Sequence, residues 1–389
     1  MTLLRWKCDI KKANLPAKAY LPLLRTAFAA DPDRKNILRD FVVSLRDGNH
    51  WQEIIKILLP LHRKGELHPR LVFELGLAAE ACEDFALALE AFEQTAAGGI
   101  PRSNQKMSGI LDSLGRHEDA ENLARKALKE NPRDEDALEI VARALLRRDD
   151  ATGLDALCDD LAGLGVASTT LLAYHATRMA LTGRTLDLEA FLEPKRWCYQ
   201  TTFGPDQIDN NSLAEAILEH RDLAPSSAYK ATRGTNMRLK NLANQRDPII
   251  QHFVSLVRNQ IDAYVAARMD AGFHPFMAQQ PIDAKLQGWA LAMSKDGHEL
   301  PHIHAKSWLT SVYYVRTSKV LDGESPQPGA IVFDAWPPEL AGKLHAFPTW
   351  HLTPQAGMLL IFPAFMAHRT IPTNQEDLRI SIVLDVMDC

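Results

Sequence analysis

HIHAKSWLTSVYYV (302–315) sets two histidines two residues apart, just ahead of a run of β-branched and aromatic residues. In an extended segment residues i and i+2 face the same side, so His302 and His304 can converge on one ion. The run that follows has the composition of a strand. Four others share it: KLQGWALAMS (285–294), GAIVFDA (329–335), GMLLIFPA (357–364) and LRISIVLDV (378–386). Turn clusters such as SKDGHELP, LDGESPQPG and PTNQED separate several of them. Short strands of this composition and spacing predict an antiparallel sandwich or jelly roll.

A third histidine, His368, follows GMLLIFPAFMA, where Pro363 is expected to end a strand and leave the imidazole at its mouth. Three imidazoles suit iron, copper, nickel or zinc, so residue type alone does not choose the metal. Eleven residues further on stands Arg379, with Ser381 two residues later on the same strand face. A buried guanidinium there can hold a carboxylate bidentately, the serine hydroxyl adding a hydrogen bond. The competing reading pairs Arg379 with a neighbouring acid, Glu376 or Asp385. Trp289, Trp308, Tyr313 and Trp336 are candidates for a pocket wall. Before these strands, residues 247–269 carry apolar residues at i, i+3 and i+4, the spacing of a helix.

Other function classes find no support. The formal charge of −5 is spread along 389 residues, with no basic stripe for nucleic acid. No apolar run approaches the ~18 residues of a membrane span, and MTLLRWKCDIKK lacks the apolar core of a signal peptide. The five cysteines, Cys8, Cys82, Cys158, Cys198 and Cys389, are widely spaced and form no CxxC pair. They read as structural thiols of a reducing compartment, and a cytoplasmic location is expected.

The N-terminal half is periodic. Trp51, Phe85, His117 and Ala151 occupy equivalent places at intervals of 34, 32 and 34 residues, while Pro32, Pro69, Pro101 and Pro132 recur at 37, 32 and 31. Helical spacing within units and Pro or Gly between them predict paired helices stacked as a solenoid. In LGRHEDAENLARKALKENP (114–132), Gly115 ends one helix, Ala120 is the small residue that lets helices approach, and Asn131-Pro132 stops the next. Residues 16–185 resemble about five degenerate tetratricopeptide repeats. The expected architecture is α+β and multidomain: a repeat solenoid over 1–185, a linker over 186–205, and a double-stranded β-helix, jelly-roll or cupin-like, over 206–389.

Four segments in order, HIHAKSWLTSVYYV, GAIVFD (329–334), GMLLIFPAFMAH (357–368) and LRISIVLDV, make residues 200–389 resemble the 2-oxoglutarate and Fe(II)-dependent oxygenases of a bacterial and phage group. The resemblance implies His302 and His368 as metal ligands, Arg379 and Ser381 as the clamp of 2-oxoglutarate, and Tyr313 among the cofactor-binding residues. It also implies that decarboxylation of 2-oxoglutarate to succinate drives hydroxylation of a C–H bond. The chain departs from the wider superfamily where a carboxylate is usual two residues after the first histidine, because that residue is His304. The third ligand is then His304 itself, a distant acid such as Asp334 or Glu299, or water. A repeat solenoid joined to such a domain is similar in plan to the tetratricopeptide-containing prolyl and aspartyl hydroxylases, which implies a protein or peptide substrate. Two other readings stay open: a cupin-like dioxygenase that ignores 2-oxoglutarate, and a non-catalytic adaptor.

Overall fold

The computed structural model describes residues 4–6, 17–32, 34–225, 231–268, 274–334, 336–337, 340 and 347–388. They fall into two compact units, Ile10–Asp150 and Met1–Asp9 with Ala151–Cys389. The thiols Cys82, Cys158 and Cys198 are free, and burial pushes that of Cys158 up to about 12. Cys8 and Cys389 lie outside the described residues.

The first unit is helical. Trp51, Phe85 and His117 each open a helix, Trp51–Arg63, Phe85–Ala97 and His117–Glu130, as does Ala151 in the second unit, so the repeat interval is the distance between helix starts. Local chemistry sets these starts. The Asp84 carboxylate accepts from the Leu87 N–H at 3.2 Å, and the Asp134 carboxylate from the Ala137 N–H at 3.1 Å, satisfying backbone donors a first turn leaves free. Pro69 sits at the first helical position, where its missing N–H costs nothing. Gly115 ends its helix with φ +75°, in the left-handed region that suits glycine. Within a pair, apolar faces close on one another: Leu45, Ile54, Leu58, Leu75 and Phe92 are fully buried, each contributing about 1.5–3 kcal/mol. A Cβ on Gly76 would lie 2.7 Å from the Phe92 ring, so glycine permits that closeness.

The second unit takes in the helices Ala151–Gly163, Thr169–Leu181 and Thr185–Leu192 together with the sheets. The Thr169 hydroxyl donates to the Ser307 carbonyl and the Thr177 hydroxyl to the Trp336 carbonyl, both at 2.6 Å. Its strands are β1 (Arg5–Trp6), β2 (Tyr199–Thr202), β3 (Ala224–Pro225), β4 (Thr232–Arg233), β5 (Asn236–Leu239), β6 (Asp283–Lys295) and β7 (His298–Glu299). There follow β8 (Leu309–Arg316), β9 (Ile331–Phe333), β10 (Trp350–Leu352), β11 (Met358–Pro363), β12 (His368–Thr370) and β13 (Gln375–Asp388). All five expected strands are present, as is the long helix, Pro248–Arg268. The stretch read as a linker holds the helix Thr185–Leu192 and strand β2, which pairs with β11 along the edge of the sheet.

The main sheet runs β2-β11-β8-β13-β6-β5-β3, antiparallel along this path, with β1 added parallel to β6. A smaller antiparallel sheet, β10-β9-β12, packs Phe333 edge-on against Phe362 of β11 at 5.0 Å. Residues opposite one another in antiparallel strands share a face. Arg379 pairs with Met293, Ser381 with Leu291 and Tyr314, and Asp385 with Thr310, which puts Arg379, Ser381, Asp385 and Tyr314 on one face of the main sheet. Tyr313 pairs with Ile382 and takes the other face, where the ring of Phe253 from Pro248–Arg268 covers it at 4.9 Å. Among the described residues, no helix is long and apolar enough to cross a membrane.

Candidate metal centre

Backbone pairing sets the histidines before any side chain acts. His302 and His368 form an antiparallel bridge, each N–H donating to the other's carbonyl at 3.0 Å, while the His304 N–H donates to the Ala364 carbonyl at 3.1 Å. Ring centroids lie 5.2 Å apart for His302 and His304, 4.4 Å for His302 and His368, and 5.2 Å for His304 and His368. One ring nitrogen from each comes within 4.8 Å of the others, the only such group of His, Cys, Asp or Glu among the described residues.

Hydrogen bonds decide which nitrogen that is. Nδ1 of His302 meets the Leu300 carbonyl at 2.7 Å, Nδ1 of His368 the Met366 carbonyl at 3.1 Å, and Nδ1 of His304 the Asp385 carboxylate at 2.8 Å. All three partners are acceptors, so all three Nδ1 atoms carry the proton, and the lone pair of each neutral ring is on Nε2. Nε2 of His304 is buried with no partner at all. Burial pushes the pKa of His302 down and that of His368 well down, the neighbouring imidazoles adding to it. Burial opposes the charged form of His304 too, but the Asp385 carboxylate outweighs it and raises the pKa. The two acids weighed as distant ligands are engaged elsewhere: Asp334 pairs with Arg369 at 3.0 Å and Glu299 with Arg238 at 3.9 Å.

Arg379 is 3% exposed and Ser381 likewise. Among the described residues the guanidinium meets no carboxylate: Asp385 turns to His304, Glu376 lies 3.6 Å from Lys295, and Arg379 itself has the Met293 sulfur at 3.8 Å and the Tyr314 ring at 5.4 Å. Its Nε is buried without an acceptor, and the Ser318 and Tyr314 hydroxyls and the Trp289 indole N–H also lack one. Burial raises the Tyr314 phenol to about 12, against the opposing pull of Arg379, so it stays a donor at neutral pH. Gly329 makes room here, since a Cβ on it would lie 2.8 Å from the Ser318 hydroxyl and 3.3 Å from Cδ of Arg379. Buried donors without acceptors are costly, and a carboxylate is the acceptor that would satisfy them.

The sequence-derived residues thus divide. His302, His304 and His368 come together, and Arg379 and Ser381 share the inner face with them. Tyr313 does not join them. The resemblance implies a contact with the cofactor, but strand alternation turns Tyr313 to the helix side, where its hydroxyl donates to Asn210 at 2.7 Å, and Tyr314 takes the face that carries Arg379. Of the proposed wall residues, Trp289 stacks on His304 at 5.8 Å. Trp336, with Phe333, Trp350, Phe365 and Met366, lines an apolar cavity of about 40 Å³ whose Phe333 ring lies 6.0 Å from that of His368. Trp308 is core, its N–H donating to the Phe276 carbonyl at 2.8 Å. Spacing alone does not indicate that Tyr314, Ser318 and Gly329 lie beside Arg379, or that Asp385 meets His304.

An antiparallel double sheet with three imidazoles at one edge, and on its inner face a buried arginine that has no counter-ion among the described residues, defines a candidate mononuclear metal centre suited to an anionic ligand. Residues 287–385 match the family described as "Putative 2OG-Fe(II) oxygenase". Fe(II) and 2-oxoglutarate, the cofactors expected from the sequence, are those this family's description names, and the donor set fits both. Among solved structures, a Pseudomonas putida prolyl-4-hydroxylase is similar at 13% identity over 54% of this chain and 100% of its own, with a TM-score of 0.35. The α-ketoglutarate-dependent epimerase SnoN of nogalamycin biosynthesis is similar at 14% identity over 53% of this chain and 82% of its own, with a TM-score of 0.38. A tetratricopeptide repeat protein from Parabacteroides merdae is similar at 12% identity over 45% of this chain and 69% of its own, with a TM-score of 0.33. No curated protein matches the sequence.

Proposed function

We propose that this protein is an Fe(II)- and 2-oxoglutarate-dependent dioxygenase that hydroxylates a protein or peptide side chain recruited by its helical repeats. His302, His304 and His368 hold the metal through Nε2. Arg379, with Ser381, Tyr314 and Ser318 around it, holds the far carboxylate of 2-oxoglutarate. The balanced reaction is R–H with dioxygen and 2-oxoglutarate giving R–OH, succinate and carbon dioxide. Bound iron and 2-oxoglutarate supply the oxidant for that C–H bond. The protein's part is to bind, orient and keep out water: the wall of Phe333, Trp336 and Trp350 beside His368 is apolar.

The observation that supports this reading is Arg379, a buried cation with no carboxylate partner among the described residues, on the face it shares with the histidine cluster. It also favours this reading over the cupin-like alternative, which gives that arginine no task. Solenoid repeats offer extended surfaces for peptides and seldom do chemistry, hence a macromolecular substrate.

The test is succinate formation by protein reconstituted with Fe(II) under air. The wild type is expected to convert 2-oxoglutarate to succinate slowly without substrate. His368→Ala should abolish this, and Arg379→Ala should raise the 2-oxoglutarate requirement roughly 10- to 100-fold, the worth of a charge-assisted bidentate pair. Iron bound with no succinate formed would sink the oxygenase reading, and an adaptor would then consume no oxygen with any peptide.

A further inference from the structure

Asp385 lies 81 residues beyond His304, on the strand that also carries Arg379. We propose that Asp385 is a positioning residue of the metal centre: by accepting the Nδ1 proton of His304 it aims the Nε2 lone pair at the ion and supplies, one residue removed from the metal, the negative charge that three imidazoles lack. This rests on the three-histidine reading above and deepens it.

Three observations carry it. His302 and His368 are each anchored by a carbonyl two residues earlier in their own segment, a local contact that any strand end can make. His304 has no such contact and depends on a carboxylate from another strand. Second, Asp385 is 5% exposed, and among the described residues no lysine or arginine lies within ion-pair range of it. Its other oxygen has no hydrogen-bond partner, and Thr310, directly opposite on β8, leaves its own hydroxyl unpaired as well. A buried carboxylate with no lysine or arginine beside it calls for positive charge close by, and a metal ion on the far side of the ring it meets would supply that charge. Third, the remaining nitrogen of His304 is a buried atom without a partner, so the line from carboxylate through imidazole ends at an unfilled acceptor position in the histidine cluster.

The chemistry follows from that line. A carboxylate bound to one ring nitrogen fixes the tautomer and the ring angle, and increases the basicity of the other nitrogen toward a metal. His304 and Asp385 together then act as an anionic donor, in the position two residues after His302 where the superfamily usually places a carboxylate directly. The stacked indole of Trp289, 7° from parallel with His304, holds the ring from its face while Asp385 holds it from its edge.

The experiment compares wild type, Asp385→Asn and Asp385→Ala in full-length protein with two metal probes, away from turnover. Asparagine keeps an acceptor for Nδ1–H but loses the charge, whereas alanine loses both. In Co(II) titrations followed by visible absorption, Asp385→Ala should bind roughly 10- to 100-fold more weakly with an altered spectrum, and Asp385→Asn should fall in between. In Zn(II)-loaded wild type, nitrogen NMR should show His304 protonated on Nδ1 and metal-bound through Nε2, and Asp385→Asn should keep that pattern. Co(II) affinity and spectrum unchanged in both variants, or a His304 proton on Nε2, would overturn the proposal. If the alanine variant does not fold, the asparagine variant decides alone: affinity within about twofold of wild type overturns it. Wild type that binds neither metal overturns the three-histidine reading and this proposal together, whereas binding by wild type and equal binding by the variants overturns this proposal only.

Discussion

Removing the hydroxyl of Tyr314 takes away a buried donor beside Arg379, whereas removing that of Tyr313 breaks a 2.7 Å bond to Asn210 on the helix side. The two phenylalanine variants should therefore fail differently. Tyr314→Phe is expected to raise the KM for 2-oxoglutarate roughly 10- to 100-fold, one lost hydrogen bond to a charged group being worth about 1.5–3 kcal/mol, with little change in Tm. Tyr313→Phe should cost about 1 kcal/mol of stability and leave that KM alone. Succinate kinetics and thermal melts on both variants check this, and the reverse pattern would mean that Tyr313 is the cofactor residue after all. Gly329 gives a second test at this scale. Its φ of +75° and the 3.3 Å approach to Arg379 mean that Gly329→Ala strains the backbone and presses on the guanidinium. It should lose at least about 1 kcal/mol of stability and weaken 2-oxoglutarate binding in a dissociation assay.

At the level of elements, the helix pair Pro69–Ala81 and Phe85–Ala97 depends on the closeness that Gly76 allows. Gly76→Leu is expected to destabilise the repeat unit by about 1–3 kcal/mol, seen as a lower urea midpoint, because the Phe92 ring already fills that space. How far such elements were legible follows from periodicity. Repeat intervals near 34 residues marked the helix starts, because the stacking that buries each face imposes the same interval on the chain. The i, i+2 spacing of His302 and His304, and of Arg379 and Ser381, marked shared strand faces. Period two does not say which face of VYYV turns inward. The register of β8 against β13 shifts between Ile380 and Ser381, so counting along either strand alone does not choose between Tyr313 and Tyr314. Strand β12 is three residues long and β10 as short, too brief for an alternation to register. Asp385 was read as a neighbour of Arg379, six residues away in sequence, whereas six residues along one strand face carry it toward His304.

For the molecule as a whole, the division at Asp150 predicts how it tolerates cutting. A chain beginning at residue 186 lacks the helix Thr169–Leu181, whose Thr169 and Thr177 hydroxyls donate to the backbone of the sheet domain. It should be less stable than one beginning at residue 151, by the Tm of each, and equal stability would show that those helices are dispensable. Acid should weaken the same unit through His274. This ring is 5% exposed, and burial lowers its pKa from 6.5 to about 4. Its folded pKa lies below the unfolded value, so the unfolded chain takes up the proton first. The stability is complete above pH 6.5 and is lost as pH falls toward 4, by up to about 3 kcal/mol. His274→Gln should flatten that part of the acid limb in urea unfolding, and an unchanged limb would assign it to other groups. The most direct test of the central claim is anaerobic titration of the Fe(II)-loaded protein with 2-oxoglutarate, followed by the visible charge-transfer absorption of an iron–2-oxo acid chelate. The account predicts that the band develops in wild type, needs at least about tenfold more 2-oxoglutarate in Arg379→Ala, and is absent from His368→Ala. Iron bound by wild type, with no band at any 2-oxoglutarate concentration, would contradict it.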